Sequence, residues 1–215
     1  MKYLLGIPFT NRKDLLERAI ASVKPLWPHA LIVDNSEPGL DPAAWPVQVV
    51  PPPVPLTFSQ TMNLLQRLAS EGLCDALLYM HNDAEAGPGT AERLLAIAGE
   101  ALVSGRRWGV AFTHYDTLAS FNMTAVREVG RWDTNLPQYF ADNDYYRRVR
   151  LAGYEIIETG LPVTHAAGGS NTINSDSHRL FLNGVTFPLH ERYYAAKWGG
   201  LPGRETYARP FNGVV

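Results

Sequence analysis

The chain has 215 residues, 46% of them hydrophobic and 19% charged, with a net charge of −2 and a sequence pI near 6.3. That length supports one large domain with a real core, or a domain with a small appendage. The charge balance supplies no basic field for nucleic acid, and the single cysteine, Cys74, excludes an intrachain disulfide and a thiolate zinc cluster.

In chain order, Tyr3 to Pro8 reads as a buried strand. Asn11 can cap the helix that follows, with Asp14 favourable in its first turn. Leu15, Leu16, Ala19, Ile20 and Val23 share one face of that helix. Leu31-Ile32-Val33 is a second strand, ended by Asp34-Asn35-Ser36, and Val47 to Val50 a third. Pro51-Pro52-Pro53 and Pro55 enforce an extended connection. Phe58 to Ala69 reads as a helix and Ala76 to Met80 as a strand. Pro88 or Thr90 opens a further helix that turns Leu94, Leu95, Ala98, Ala101 and Leu102 inward. Trp108 to Phe112 and Leu118 to Phe121 read as strands, and residues 139–154 as an irregular segment entering a basic amphipathic helix. From Val163 onward the alternation stops, and loops and helices closing over a site are expected. The short apolar N-terminal run is not a signal peptide and no stretch is long enough for a bilayer, so a soluble cytoplasmic protein is expected.

Strands alternating with helices imply an α/β layered domain with a mostly parallel central sheet. Such sheets bind ligands at the carboxyl ends of their strands. The segments Pro8-Phe9-Thr10-Asn11-Arg12, Asp34-Asn35-Ser36 and His81-Asn82-Asp83 all fall at such ends. Asp142 and Asp144 stand two apart where the later helix begins. Potential metal ligands after one element and a candidate base before another point to group transfer from a phosphate-bearing donor.

Taken in order, several segments resemble an inverting family-two glycosyltransferase of the GT-A fold, a Rossmann-like domain. They are Ile7-Pro8-Phe9-Thr10-Asn11-Arg12, Val33-Asp34-Asn35-Ser36, His81-Asn82-Asp83, Val129-Gly130-Arg131-Trp132-Asp133 with Asp142-Asn143-Asp144, then His165 and Tyr193 to Gly200. The similarity covers roughly residues 3–200 and implies a single domain, 1–215. About 1–112 would form a nucleotide-sugar-binding half, about 113–200 an acceptor and catalytic half, and 201–215 a tail; the C-terminal part would be a loop and helix extension. The resemblance further implies a hexosyltransferase-like enzyme with a nucleotide-sugar donor, a divalent metal (Mn²⁺ or Mg²⁺) and inverting transfer to the hydroxyl of a saccharide or other acceptor. The chain departs from the family at three places. His81 replaces the first acid of the Asp-x-Asp metal motif, Ala141 replaces the acid before the base, and Phe9-Thr10 stands where Thr-Tyr is usual.

On this resemblance Asp83, His81 and His165 are the metal candidates. Asp83 suits Mn²⁺ or Mg²⁺ as a hard oxygen ligand, and such an ion neutralises a departing diphosphate; its plainer role is a turn carboxylate. His81 is a second ligand, a phosphate donor or a packing residue. His165, after a strand Leu161-Pro162-Val163-Thr164 and before Gly168-Gly169-Ser170, is a ligand or an ordinary loop histidine. Asp142 is the candidate general base, with a helix N-cap of low pKa as its alternative. Pro8, Thr10, Asn11, Arg12, Asp34, Asn63 and Asn82 are the donor-binding candidates. Against these, Asn11 is equally a helix cap, Asp34 an Asx-turn, and Asn63 a solvent-facing amide. Asp144 reads as first-turn helix electrostatics, Arg147, Arg148 and Arg150 as a solvated or ion-paired face, and Trp198 as packing; Lys197 stays open.

Two other functions fit the same architecture. A sugar-1-phosphate nucleotidyltransferase shares the fold, but such enzymes resemble a glycine-rich N-terminal loop, and Pro8 to Lys13 holds no glycine. A catalytically silent nucleotide-sugar or carbohydrate-binding module is kept open by His81 and Ala141. The donor base and sugar, the acceptor and the oligomeric state are not legible.

Overall fold

A computed structural model describes residues 1–165 and 171–214. Gly168, Gly169 and Ser170, read above as a loop closing on a diphosphate, lie outside the described residues.

The central sheet has seven strands in the order β3-β2-β1-β4-β7-β6-β8. They are β1 (Tyr3–Phe9), β2 (Ala30–Asp34), β3 (Gln48–Val50), β4 (Ala76–Met80), β6 (Trp108–Phe112), β7 (Leu118–Asn122) and β8 (Glu155–Glu158). Only β7 runs antiparallel to its neighbours β4 and β6; the other pairings are parallel. A separate antiparallel pair joins β5 (Ala84–Ala86) to β9 (Val163–His165). The helices are α1 (Lys13–Ser22), α2 (Phe58–Glu71), α3 (Thr90–Val103), α4 (Met123–Val129), α5 (Ala141–Leu151), α6 (Asn171–Asn174) and α7 (Ser177–Trp198).

The central strands are apolar on both faces because both faces are covered. Leu5, Ile7 and Phe9 of β1 point with Ala76, Leu78 and Met80 of β4 into one core, shared with α1 and α3. Leu31 and Val33 of β2 and Leu77 and Tyr79 of β4 point into the other, shared with α2, α4 and α5. Gly6 lets α2 approach: a Cβ there would sit 2.3 Å from Leu65 Cδ2. Gly109 does the same for α5, since its Cβ would lie 2.6 Å from Val149 Cγ1.

Three expectations are corrected. Asn11 does not cap α1. Arg12 holds that position in the left-handed region, at φ 63°, and Asn11 Nδ2 donates to Thr172 O at 2.9 Å. Asp142 does not cap α5 either: Phe140, at φ 64°, precedes the helix, and Asp142 is its second residue. His165 is the last residue of β9, paired with Ala84, rather than a loop residue beyond a strand. Elements missed in the sequence are β5, α4 and β8, all short; the strand read at 161–164 is β9, which spans Val163–His165.

Candidate active site

The strand order reverses between β1 and β4: the chain builds β2 and β3 on one side of β1, then returns to place β4 on the other. A cavity of about 540 Å³ opens at the carboxyl ends of these strands, where α/β sheets take their ligands. Pro8 and Thr10 after β1, Asn35 after β2, and His81, Asn82 and Asp83 after β4 line it. Leu56, Thr57 and Thr61 at the start of α2 add to that side, with Asp116, Asp142 and Tyr146 farther along. Arg179, Asn183, Thr186 and His190 of α7 form a further wall.

The β5–β9 pair brings the candidate metal ligands together. Pairing Ala84 with His165 sets His165 beside Asp83, one residue before Ala84. Asp83 Oδ1 lies 3.3 Å from His165 Nε2 and 3.7 Å from His81 Nδ1. One donor atom from each residue falls within 4.8 Å of the others. These gaps suit one ion with bonds of about 2.0–2.2 Å. Among the described residues His165 Nε2 is shielded from solvent and makes no hydrogen bond of good geometry. Asp83 Oδ2 is anchored by the backbone N–H of Asn171 at 2.9 Å, which fixes the carboxylate. Burial pushes the Asp83 carboxyl up, but the imidazoles of His165 and His81 more than reverse this and hold it well below the usual range. The Asp83 carboxylate in turn raises the His165 imidazole, against the lowering effect of burial. Two imidazoles beside one carboxylate suit a divalent transition metal better than Mg²⁺.

Asp142 lies in the first turn of α5 with its carboxylate in the cavity. Its low-pKa expectation is corrected: burial, then the negative charge of Asp116, pushes it up to about 6, against the lowering effect of backbone N–H donors and His81. Asp116 was missed in the sequence because it sits in an irregular turn between β6 and β7, outside any motif. The structure shows it lining the cavity and accepting from Tyr146 OH at 3.2 Å.

The remaining predicted residues divide. Pro8, Thr10 and Asn82 line the cavity. Asn82 also ties the walls together: its Nδ2 donates to Asn11 O at 3.1 Å and its Oδ1 accepts from Thr172 Oγ1 at 3.3 Å. Arg12 turns outward into a two-bond pair with Asp14, at 2.7 and 2.9 Å. Asp34 is buried and its carboxylate serves its own loop, accepting from Ser36 N and Oγ at 3.0 and 2.6 Å and from Leu40 N at 2.6 Å. Its neighbour Asn35 reaches the cavity instead. Asn63 is neither solvent-facing nor at the cavity: it exchanges two hydrogen bonds with the Trp132 backbone, at 2.8 and 3.0 Å.

Asp144 departs most from its expectation. It is fully buried and holds Arg148 Nε at 2.9 Å, Trp198 Nε1 at 2.8 Å and Lys197 Nζ at 2.6 Å. Lys197 Nζ also reaches Asp133 Oδ2 at 2.7 Å, which Tyr193 OH meets at 2.9 Å. This network joins the last turn of α7 to the first turn of α5.

No family model and no curated protein matches the chain. Solved structures do share its fold. The mannosyltransferase PcManGT from Pyrobaculum calidifontis, in complex with GDP-Man and Mn²⁺, superposes with a TM-score of 0.54 at 11% identity over 73% of this chain and 54% of that one. S. aureus TarS gives 0.57 at 10% identity over 86% of this chain and 39% of that one. TarS 1-349 gives 0.55 at 10% identity over 74% and 58%. The mixed α/β architecture with its mostly parallel sheet is therefore one that this chain shares with these solved glycosyltransferase structures. This chain spans 39–58% of the length of the structures it matches. Among the described residues no helix is long and apolar enough to cross a membrane.

Proposed function

We propose that the protein is a metal-dependent glycosyltransferase that moves a sugar from a nucleotide-sugar donor to an acceptor hydroxyl with inversion. The observation that carries this reading is one cavity lined by His81 and Asp83 of a candidate metal centre at the switch point and by a carboxylate with a raised pKa farther along. The glycosyltransferase fold, and the GDP-Man and Mn²⁺ bound in one structure that shares it, support the same reading.

His81, Asp83 and His165 would hold the ion, which when bound would neutralise the diphosphate as it departs. Thr10, Asn35 and the N-terminus of α2 present polar groups to a nucleotide at the strand ends. Asp142 takes the proton of the attacking acceptor hydroxyl. A base with a pKa of about 6 is ionised at neutral pH yet keeps useful proton affinity, which is the compromise general-base catalysis requires. Residues of about 1–112 would then serve the donor, and those of about 113–200 the acceptor and the chemistry. The low content of glycine before α1 still speaks against nucleotidyl transfer.

The testing experiment incubates the protein with Mn²⁺, a panel of nucleotide-sugars and candidate acceptors, and follows the anomeric proton of the product by NMR. Product of opposite anomeric configuration to the donor is expected. Retained configuration would overturn the single-displacement role of Asp142. Release of a sugar phosphate in place of a glycoside would favour the nucleotidyltransferase reading.

A further inference from the structure

The α7 wall of the cavity indicates which chemistry the second substrate carries. Arg179, Asn183, Thr186 and His190 line the cavity at spacings of four, three and four, which places them on one stripe of the helix. Between Ser177 and Leu189 the half-buried residues are Asn183 and Thr186, and all others are exposed. The side of this arm turned to the cavity is therefore mainly polar, with Leu182 as its one apolar lining residue among those described, and the rest of its surface carries exposed Leu180, Phe181, Val185 and Leu189.

Spare hydrogen-bonding capacity on the stripe lies at His190 and Thr186, while the Asn183 side chain shares a hydrogen bond with Tyr139 and keeps the rest of its amide for a ligand. His190 Nδ1 is shielded from solvent and has no hydrogen-bond partner among the described residues, a state that costs free energy unless a ligand or water fills it. Burial lowers the His190 imidazole, so at neutral pH it offers hydrogen bonds rather than charge. Thr186 Oγ1 donates to Leu182 O at 2.9 Å and keeps its lone pairs free. Arg179 is already paired with Asp176 at 3.3 Å. The same cavity is lined by the carboxylates of Asp116 and Asp142. Among the described residues Tyr146 OH donates to Asp116 Oδ2, and Asp116 Oδ1 is left to accept from a ligand. Carboxylates accept from hydroxyls and repel anions.

We propose that the Asn183–Thr186–His190 stripe of α7, with Asp116, forms the acceptor subsite, and that it takes a neutral hydroxyl-rich saccharide rather than a phosphorylated or carboxylated one. Assignment of this ligand as the acceptor rests on the transferase reading above.

Saturation-transfer NMR on the full chain tests it, with maltose, cellobiose and lactose as neutral probes, and glucose against glucose 6-phosphate as the charge comparison. At least one neutral disaccharide is expected to bind, and to bind about fivefold more weakly in His190→Phe and in Asn183→Leu, as loss of a single hydrogen bond requires. Glucose 6-phosphate is expected to bind more weakly than glucose. Absence of binding by every neutral probe, equal binding in both variants, or preference for glucose 6-phosphate would overturn the proposal. Nucleoside diphosphate binding with Mn²⁺, measured on the same sample, separates the two claims. Saccharide binding without it leaves the subsite standing and removes the transferase; the reverse result removes the subsite alone.

Discussion

Asp142 and Asp116 open on the same cavity, and the consequence appears in how Asp142 titrates. If Asp142 is the base, Asp142→Asn should cut transfer by about 10²–10⁴-fold while nucleoside diphosphate binding persists, measured as turnover at saturating donor. Transfer by the parent should rise with pH through about 6 as the carboxyl ionises. Asp116→Asn removes a negative neighbour and should move that inflection to lower pH. A pH–rate profile that ignores both changes would detach the chemistry from this pair. Stability carries the opposite sign. A carboxyl whose folded pKa is raised contributes its full stabilisation below the unfolded value near 4 and loses it as pH rises through about 6. Asp142→Asn should therefore stabilise the metal-free protein above that pH. The gain should be about 1–2 kcal/mol by denaturant titration, since Asp142 lines a cavity, where solvent screening lowers the cost of its charge. The candidate base Asp142 was legible in the sequence only as an acid at the start of an element. Its electrostatics were not, because burial and Asp116 act through space.

The element that holds Asp142 is α5, and α5 is held by α7. Asp144, Lys197, Asp133, Tyr193 and Trp198 form a buried network between the two helices. The stripe carrying Asn183, Thr186 and His190 continues into Tyr193, Tyr194 and Lys197, so one face of α7 first lines the cavity and then anchors the helix. Removing one partner from a buried ion pair strands the other charge. Asp144→Asn or Lys197→Met should each destabilise by about 3–5 kcal/mol, read as a fall in the unfolding midpoint. Asp144→Asn would thus be far from a mild control for Asp142→Asn. An unchanged midpoint would show that the network carries no net stability. Sequence position alone made Asp144 an ordinary first-turn acid, because its partners Lys197 and Trp198 are more than fifty residues away. The long strands and helices were legible because their apolar runs and 3.6-residue stripes are strong and local. β5 and β8 were not: they have three and four residues, too few to establish a period.

At the scale of the molecule, the sheet decides where chemistry can occur. Its order turns at β1 and β4, and Pro8, Thr10, His81 and Asp83 sit at the carboxyl ends of those strands. That much follows from strand ends read in sequence. The closure of the candidate metal centre does not, since it depends on β9 returning to pair with β5 across the 76 residues 87–162 that separate the two strands. His165→Ala should accordingly weaken any metal-dependent ligand binding while the melting temperature of the metal-free protein stays close to the parent's. Because a ligand that binds the native state alone stabilises it by about 2.7 kcal/mol at a hundredfold excess over its dissociation constant, thermal shifts with Mn²⁺ and nucleoside diphosphates would identify the base to use. The most direct measurement is then calorimetric titration of that nucleoside diphosphate into the parent and Asp83→Ala, each with Mn²⁺ and with chelator. Tight binding is predicted in the parent with Mn²⁺ alone, and weak or absent binding in the other three combinations. Equal affinity in all four would contradict a metal-dependent donor site built on Asp83.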